Sequence, residues 1–226
     1  MAHLGYGYGS EFHLLRLLGR HRSFLEQKIL SALGYSNQLV EWLDFKYDYT
    51  KFIPDREYIG IEFLKGLANY DALEKSWKQF WPSTKKTQNW DAICKIGDEW
   101  IIIEAKAHKS EINSSSNASE KSKEFIKERF QEIKNKYGVH SDNDWNKGYY
   151  QKANRILFLD YLKTNNIKAK LLFIYFLNGY KKNGIQQGIN SKSDWVGLIK
   201  KQDNYLGISN NVTLKTDIVN LIIDIL

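Results

Sequence analysis

Asp91, Glu104 and Lys106 are the residues of this chain whose types and spacing suit chemistry best. Asp91 stands in Trp90-Asp91-Ala92-Ile93, and the other two close the run Ile101-Ile102-Ile103-Glu104-Ala105-Lys106. Between the two runs lies Gly97-Asp98, the composition of a two-residue hairpin turn in which glycine supplies the positive φ of the first central position. Across a hairpin closed there, facing residue numbers share one sum, so Ile96 faces Glu99, Ile93 faces Ile102 and Asp91 faces Glu104. Directly opposed Cβ atoms lie about 5 Å apart. The strand period of two puts Lys106 on the same face, diagonal to Asp91. Two like charges set opposite each other destabilise a hairpin unless something positive lies between them. A divalent cation is the expected neutraliser, because Mg²⁺ takes oxygen ligands and keeps several waters. Such a constellation suits metal-assisted cutting of a phosphodiester.

The register decides whether the site exists. A three-residue loop sets Asp91 opposite Ile103 and turns it to the other face. Glu104 and Lys106 alone are accounted for by a buried strand that ends in solvent; the aspartate at the matching cross-strand position is what favours a site.

Asp91 followed by Glu104-Ala105-Lys106 at the end of an apolar strand resembles the signature of the PD-(D/E)xK phosphodiesterase superfamily, the restriction-endonuclease-like proteins, and is closest to its uncharacterised members. The likeness covers about 20 residues and departs from the pattern at Trp90, which stands where the proline is expected. The literal Pro54-Asp55 lies far upstream of Glu104, with no Glu-x-Lys following at hairpin distance. Membership implies an αβββαβ core of class α/β (α+β): a mixed sheet between helices, here with extra helices. It also implies that Asp91 and Glu104 bind Mg²⁺, with Mn²⁺ as a substitute, and that Lys106 positions or activates the attacking water. The expected activity is an Mg²⁺-dependent endonuclease on DNA leaving 5′-phosphate ends. Two alternatives stand beside it: an inactive nuclease-fold module that binds nucleic acid or a protein partner, and a ribonuclease. The carbonyl of Ala105 is expected to complete the metal shell.

Composition fits these expectations without specifying them. A chain of 226 residues, 42% hydrophobic and 14% aromatic, suffices for one globular domain with its own core; residues 1–226 are read as that domain, with 1–10, rich in Gly and Tyr, as a loosely ordered lead-in. A net charge of +7 favours an anionic partner. DNA is expected first and RNA second, and a homodimer is compatible with double-strand cutting. The lone Cys94 has no internal disulfide partner and reads as a small core residue. Neither an apolar signal region nor a run long enough to span a bilayer is seen, so a cytoplasmic protein away from membranes is expected. The five histidines lack zinc spacing, and no phosphate loop is present.

The elements that must position the triad follow from periodicity and punctuation. A helix is expected over 24–33, with Ser23 and Glu26 forming a capping box and Gly34 ending it. Residues 39–49 alternate like a strand, and 58–81 are assigned mostly to helix, closed by Pro82. Past the hairpin come a serine-rich loop over 110–119, a helix over 119–137 stopped by Gly138, a loop over 143–148 and a helix over 149–163. Residues 169–177 form a continuous apolar run, expected of a strand buried on both faces. A short helix after Ser193 and a final strand or helix over 219–226 complete the chain.

Further candidates carry two readings each. Similar nucleases often take another metal-binding glutamate from the first core helix, which points to Glu26, with Glu11 a weaker substitute; the capping box accounts for Glu26 equally. Arg20 and Arg22, in a cluster with Arg16 and His21, suit phosphate recognition or form a solvated basic turn. Gln151 and Arg155 sit one helical turn apart after the Glu-x-Lys strand, where similar nucleases turn polar residues to the site; a plain exposed helix face is the other reading. His108, two residues past Lys106, suits a phosphate contact or a proton carrier, or simply a polar exit from the sheet.

Overall fold

The computed structural model describes residues 9–43, 46–48, 53–82, 87–179 and 188–225. In chain order its elements are α1 (Gly9–Arg20), α2 (Arg22–Leu33), β1 (Val40–Leu43), β2 (Lys46–Asp48), β3 (Ile53–Arg56), β4 (Tyr58–Ile59), α3 (Tyr70–Phe80), β5 (Asn89–Trp90), β6 (Ala92–Ile96), β7 (Glu99–Lys106), α4 (Glu120–Tyr137), α5 (Tyr150–Thr164), β8 (Ala169–Leu177), α6 (Lys192–Leu206), α7 (Val212–Asp217) and β9 (Ile218–Asp224). The chain is of the α/β class. A five-stranded sheet in the order β1-β6-β7-β8-β9 lies between two sets of helices, and two small ribbons, β2-β3 and β4-β5, stand beside it. The first three strands of the large sheet pair antiparallel, whereas β8 and β9 join parallel. Helix, three strands, helix and strand therefore follow the expected αβββαβ order, and β9 extends the sheet.

Side-chain alternation divides the core between the faces. Cys94, Ile101, Ile103, Ala105, Leu172 and Ile174 pack with Leu14 and Leu17 of α1 and Leu25 and Ile29 of α2. Ile93, Ile102, Leu171, Phe173 and Tyr175 pack on the opposite face with α3 to α6. As β8 is apolar on both faces, its unbroken run Leu171 to Phe176 is the composition its central position demands. Each fully buried Leu or Ile contributes about 1.5–3 kcal/mol through loss of water contact. Cys94 is completely buried, and burial, followed by the Glu26 charge, pushes its thiol up.

The hairpin register is the one read from the turn as far as Ala92. The expected pairing of Asp91 with Glu104 does not form, because the chain bends at Asp91, and Asn89 and Trp90 pair with β4 instead. Gly97 has φ +60°, and β6 pairs β7 as Ile96 with Glu99, Ile93 with Ile102 and Ala92 with Ile103. Helix α4 also begins and ends as expected, with the Ser119 hydroxyl accepting from the Ser122 N–H and Gly138 adopting φ +61°.

Other expectations are corrected. Residues 9–20 form α1, so what reads as a basic turn is largely the end of one helix and the start of the next. Helix α2 starts at Arg22 after His21, and no side-chain cap forms; Glu26 accepts instead from the Trp42 indole N–H at 2.8 Å. Of the strand expected over 39–49, the described residues from 40 onward form β1 and β2, and 44, 45 and 49 lie outside the described residues. Helix in 58–81 is confined to α3 and one short turn, because Tyr58 and Ile59 are drawn into pairing with β5. The helix expected to be short, α6, runs for 15 residues. The last segment is strand, parallel to β8. The lead-in over 1–8 lies outside the described residues, and Gly9 and Ser10 already belong to α1. Among the described residues no helix is long and apolar enough to cross a membrane.

One buried group on α1 gives the fold a pH dependence. The His13 ring meets Phe176 edge-on at 5.6 Å, and burial, then the Arg16 charge, hold its pKa down at about 4 against an upward pull from Glu111. A histidine that titrates at 6.5 when unfolded binds its proton first in the unfolded chain. Its contribution is complete above pH 6.5 and is lost as pH falls towards 4. Urea unfolding is expected to show this loss in the wild type and a shallower one in His13→Leu. Equal slopes in the two proteins would exclude His13 as its source.

Candidate active site

Where β6 ends, β7 continues, and this offset creates the site. The ladder closes at Ala92 with Ile103, and the preceding residues Asn89 and Trp90 pair with β4 in a separate ribbon. Asp91 occupies the bend between the two ribbons. Its Oδ2 accepts the Ala105 N–H at 2.7 Å, supplying the partner that β6 no longer offers to β7. On a regular strand the N–H and C=O of one residue point to one edge. The Ala105 carbonyl therefore faces the same edge, while its methyl is buried against α1 and α2. No described residue hydrogen-bonds the second Asp91 oxygen.

Glu104 and Lys106 alternate with Ala105 and fall on the face covered by α5. Glu104 is 3% exposed and bonded at both oxygens. One oxygen receives Lys106 Nζ and, at 2.6 Å, Gln151 Nε2. The other receives Arg155 Nε at 2.8 Å and lies 2.8 Å from its Nη2. Arg155 Nη2 also donates to the Asn89 carbonyl at 2.8 Å, and the guanidinium lies over the Trp90 ring at 4.5 Å. Gln151 and Arg155 are one turn apart on α5, so a single helix face presents both to Glu104.

The electrostatics separate the two carboxylates. Burial would raise the Glu104 carboxyl, but the charges of Arg155 and Lys106 outweigh it and leave the group below the ordinary range. Asp91 is pushed up to about 8 by burial and then by Glu104, against opposing pulls from Lys106, the Ala105 N–H and Arg155. Lys106 is drawn down by burial but lifted further by Glu104 and Asp91, so its pKa lies above that of an ordinary lysine. Two carboxylates thus share two cationic neighbours, and one carboxylate titrates near neutrality.

Asp91, Glu104, Lys106, Gln151 and Arg155 are brought together. The structure does not bring Glu26, Arg20, Arg22 or His108 to them. Glu26 bonds Trp42 beside Cys94, on the sheet face covered by α1 and α2. Arg22 donates to the Leu18 carbonyl at 2.9 Å, and Arg20 is exposed at the end of α1. His108 meets Ser110 at 2.7 Å and Glu111 at 3.2 Å, where the chain turns away after β7. Sequence reasoning missed Glu57. Its carboxyl is pushed up by burial, eased by a hydrogen bond with Asn89, and raised again by Glu11 and Glu104. It reaches the neighbourhood through the β4–β5 ribbon, a pairing with no signature in the residues.

Among the described residues no three His, Cys, Asp or Glu side chains form a metal-binding group. The fit to Mg²⁺ rests on a smaller donor set of hard oxygens: Asp91, Glu104 and the Ala105 carbonyl. Mg²⁺ is commonly held by one or two carboxylates with waters completing its shell. A buried carboxyl already strained by a like neighbour also gains from a cation. The residues present fit that ion. Comparison of the chain with protein-family models, curated proteins and solved structures returns no match.

Proposed function

We propose that this chain is a metal-dependent phosphodiester hydrolase, an endonuclease acting on DNA, built on a restriction-endonuclease-like core. One observation carries the assignment: at the open end of the β6–β7 hairpin Asp91 takes the Ala105 N–H, and the adjoining Glu104, bonded to Lys106, is close enough for its charge to act on Asp91. Asp91, Glu104 and the Ala105 carbonyl are the groups that would hold Mg²⁺ or Mn²⁺. When bound, the ion polarises a phosphodiester and lowers the pKa of its water.

The chain's own residues do the rest. Arg155 and Gln151 fix the Glu104 carboxylate from behind, so its orientation does not depend on substrate. The Ala105 N–H fixes one Asp91 oxygen and leaves the other to a ligand. Lys106 stays protonated at neutral pH, because its carboxylate neighbours hold its pKa up. It orients water and offsets charge building on phosphate oxygens as a cation, rather than accepting a proton. The positive net charge supports an anionic substrate.

A second reading has its own observation. Glu104 is saturated by Lys106, Gln151 and Arg155, and such a network also suits an inert fold that binds nucleic acid or a protein. Calorimetric titration with Mg²⁺, run beside plasmid and RNA digestion, separates the readings. The hydrolase binds Mg²⁺, cuts only with Mg²⁺ or Mn²⁺, and loses both properties in Glu104→Ala. Metal-indifferent DNA binding without cutting would favour the inert module, and digestion of RNA alone would make the enzyme a ribonuclease.

A further inference from the structure

Trp90 stands immediately before Asp91, at the position where the likeness to restriction-endonuclease-like proteins expects proline. It is 1% exposed, and both its main chain and its ring are held. The main chain pairs with Tyr58 in the β4–β5 ribbon, and the indole Nε1 donates to the Gly60 carbonyl at 2.7 Å. Gly60 in turn donates its N–H to the Gln88 carbonyl at 2.8 Å, which extends the ribbon to the residue that anchors the indole. The ring then serves α5 as a floor. Its centroid lies 4.3 Å from that of Phe158, and the Arg155 guanidinium lies over it at 4.5 Å. Arg155 and Phe158 are three residues apart, so one face of α5 brings both to the indole.

A guanidinium laid on an aromatic face keeps all of its N–H groups at its rim. Those of Arg155 go to two neighbours. Nε donates to Glu104 at 2.8 Å, and Nη2 lies 2.8 Å from the same carboxylate oxygen while donating to the Asn89 carbonyl at 2.8 Å. The ring thus fixes the plane of the guanidinium, and the plane decides where its donors point. Trp90 also fixes the chain one residue before Asp91. A proline there would offer neither an N–H to Gly60 nor a π face to Arg155.

We infer that Trp90 is a positioning residue of the site: its indole face orients Arg155 and, through Arg155, the Glu104 carboxylate, while its main chain places Asp91. Two carboxylates from different segments thereby share one support. The consequence for metal binding rests on the proposed hydrolase function; the hold on Arg155 does not.

Trp90→Leu and Trp90→Phe separate the ring face from the indole N–H. Both lose the bond to Gly60, and only Trp90→Phe keeps an aromatic face for the guanidinium. Two readouts are followed in the full chain: hydrogen exchange of the Arg155 Nε–H by NMR, its signal identified by loss in Arg155→Lys, and Mg²⁺ affinity by calorimetry. In Trp90→Leu the Nε–H is expected to exchange about tenfold faster than in the wild type, the equivalent of one desolvated cation–π contact. Mg²⁺ binding weakens about tenfold, as when a ligand loses its supporting partner. Trp90→Phe keeps both within about threefold of the wild type. Should Trp90→Leu not fold, tetrafluorotryptophan at position 90 repeats the comparison, since fluorine empties the negative face of the ring and leaves its N–H. Unaltered Nε–H exchange or unaltered Mg²⁺ affinity in the altered proteins, or equal changes in Trp90→Leu and Trp90→Phe, would overturn the inference. A wild type that binds no Mg²⁺ yet shows the expected exchange pattern would overturn the metal-dependent function and leave Trp90 as the support of Arg155.

Discussion

Lys106→Ala is expected to lower Mg²⁺-dependent cleavage of DNA by about 10²–10⁴-fold, the range seen when a positioned proton-handling or charge-stabilising group is removed. The size follows from where the ammonium sits. Lys106 is 8% exposed, bonds Glu104 and feels Asp91, so its charge acts in a place where water screens little. Glu104 keeps Arg155 and Gln151 in the variant, and the carboxylates remain able to take a cation. Mg²⁺ affinity should therefore survive or rise while turnover collapses, a split that a merely structural lysine would not produce. Lys106→Arg keeps the charge but not the compact ammonium, and rescue is expected to be poor. Single-turnover cleavage rates beside Mg²⁺ calorimetry make the measurement. A cleavage rate unchanged in Lys106→Ala would overturn the assignment of these residues.

Arg155→Leu is expected to cost about 3–5 kcal/mol of stability, because it strands a buried carboxylate. Both partners are nearly inaccessible, with side-chain exposures of 7% and 4%. Lys106 and Gln151 hold the other Glu104 oxygen, which keeps the loss near the lower end of that range. Set against a typical total of about 5–15 kcal/mol, the change is large. Replacing both members, Glu104→Leu with Arg155→Leu, removes the stranded charge and should recover part of the loss. Urea unfolding of the two single variants and the double variant gives the coupling directly. Additive losses would show that the pair does not act as a unit. Arg155→Leu also removes the cation over Trp90 and the bond to the Asn89 carbonyl, so loosening of the β4–β5 ribbon should accompany it.

Much of this protein is settled by local rules. Gly97-Asp98 determines the hairpin register, because a strand has period two and a two-residue turn leaves one pairing sum; Glu104 and Lys106 share a face by that period, whereas Asp91 leaves the ladder at a bend. Ser119 and Gly138 bound α4 through cap chemistry contained within a few residues. The apolar run of β8 announces a strand covered on both sides. Gln151 and Arg155 were legible only through resemblance, since a polar pair on a helix looks the same whether it faces solvent or a buried carboxylate.

Only the tertiary structure decided the rest, and the reason is that those contacts join residues whose spacing carries no period. Glu26 looked like a cap and a metal candidate, but Trp42 came within reach of it once β1 docked beside β6. Glu57 and Asn89 enter the neighbourhood of Glu104 through the β4–β5 pairing, which competed successfully with helix in that stretch. The bend at Asp91 and the bond to the Ala105 N–H arise where separate elements end against each other. Sequence alone determined which residues could share a face; packing determined which carboxylate is held charged and which is pushed towards neutral.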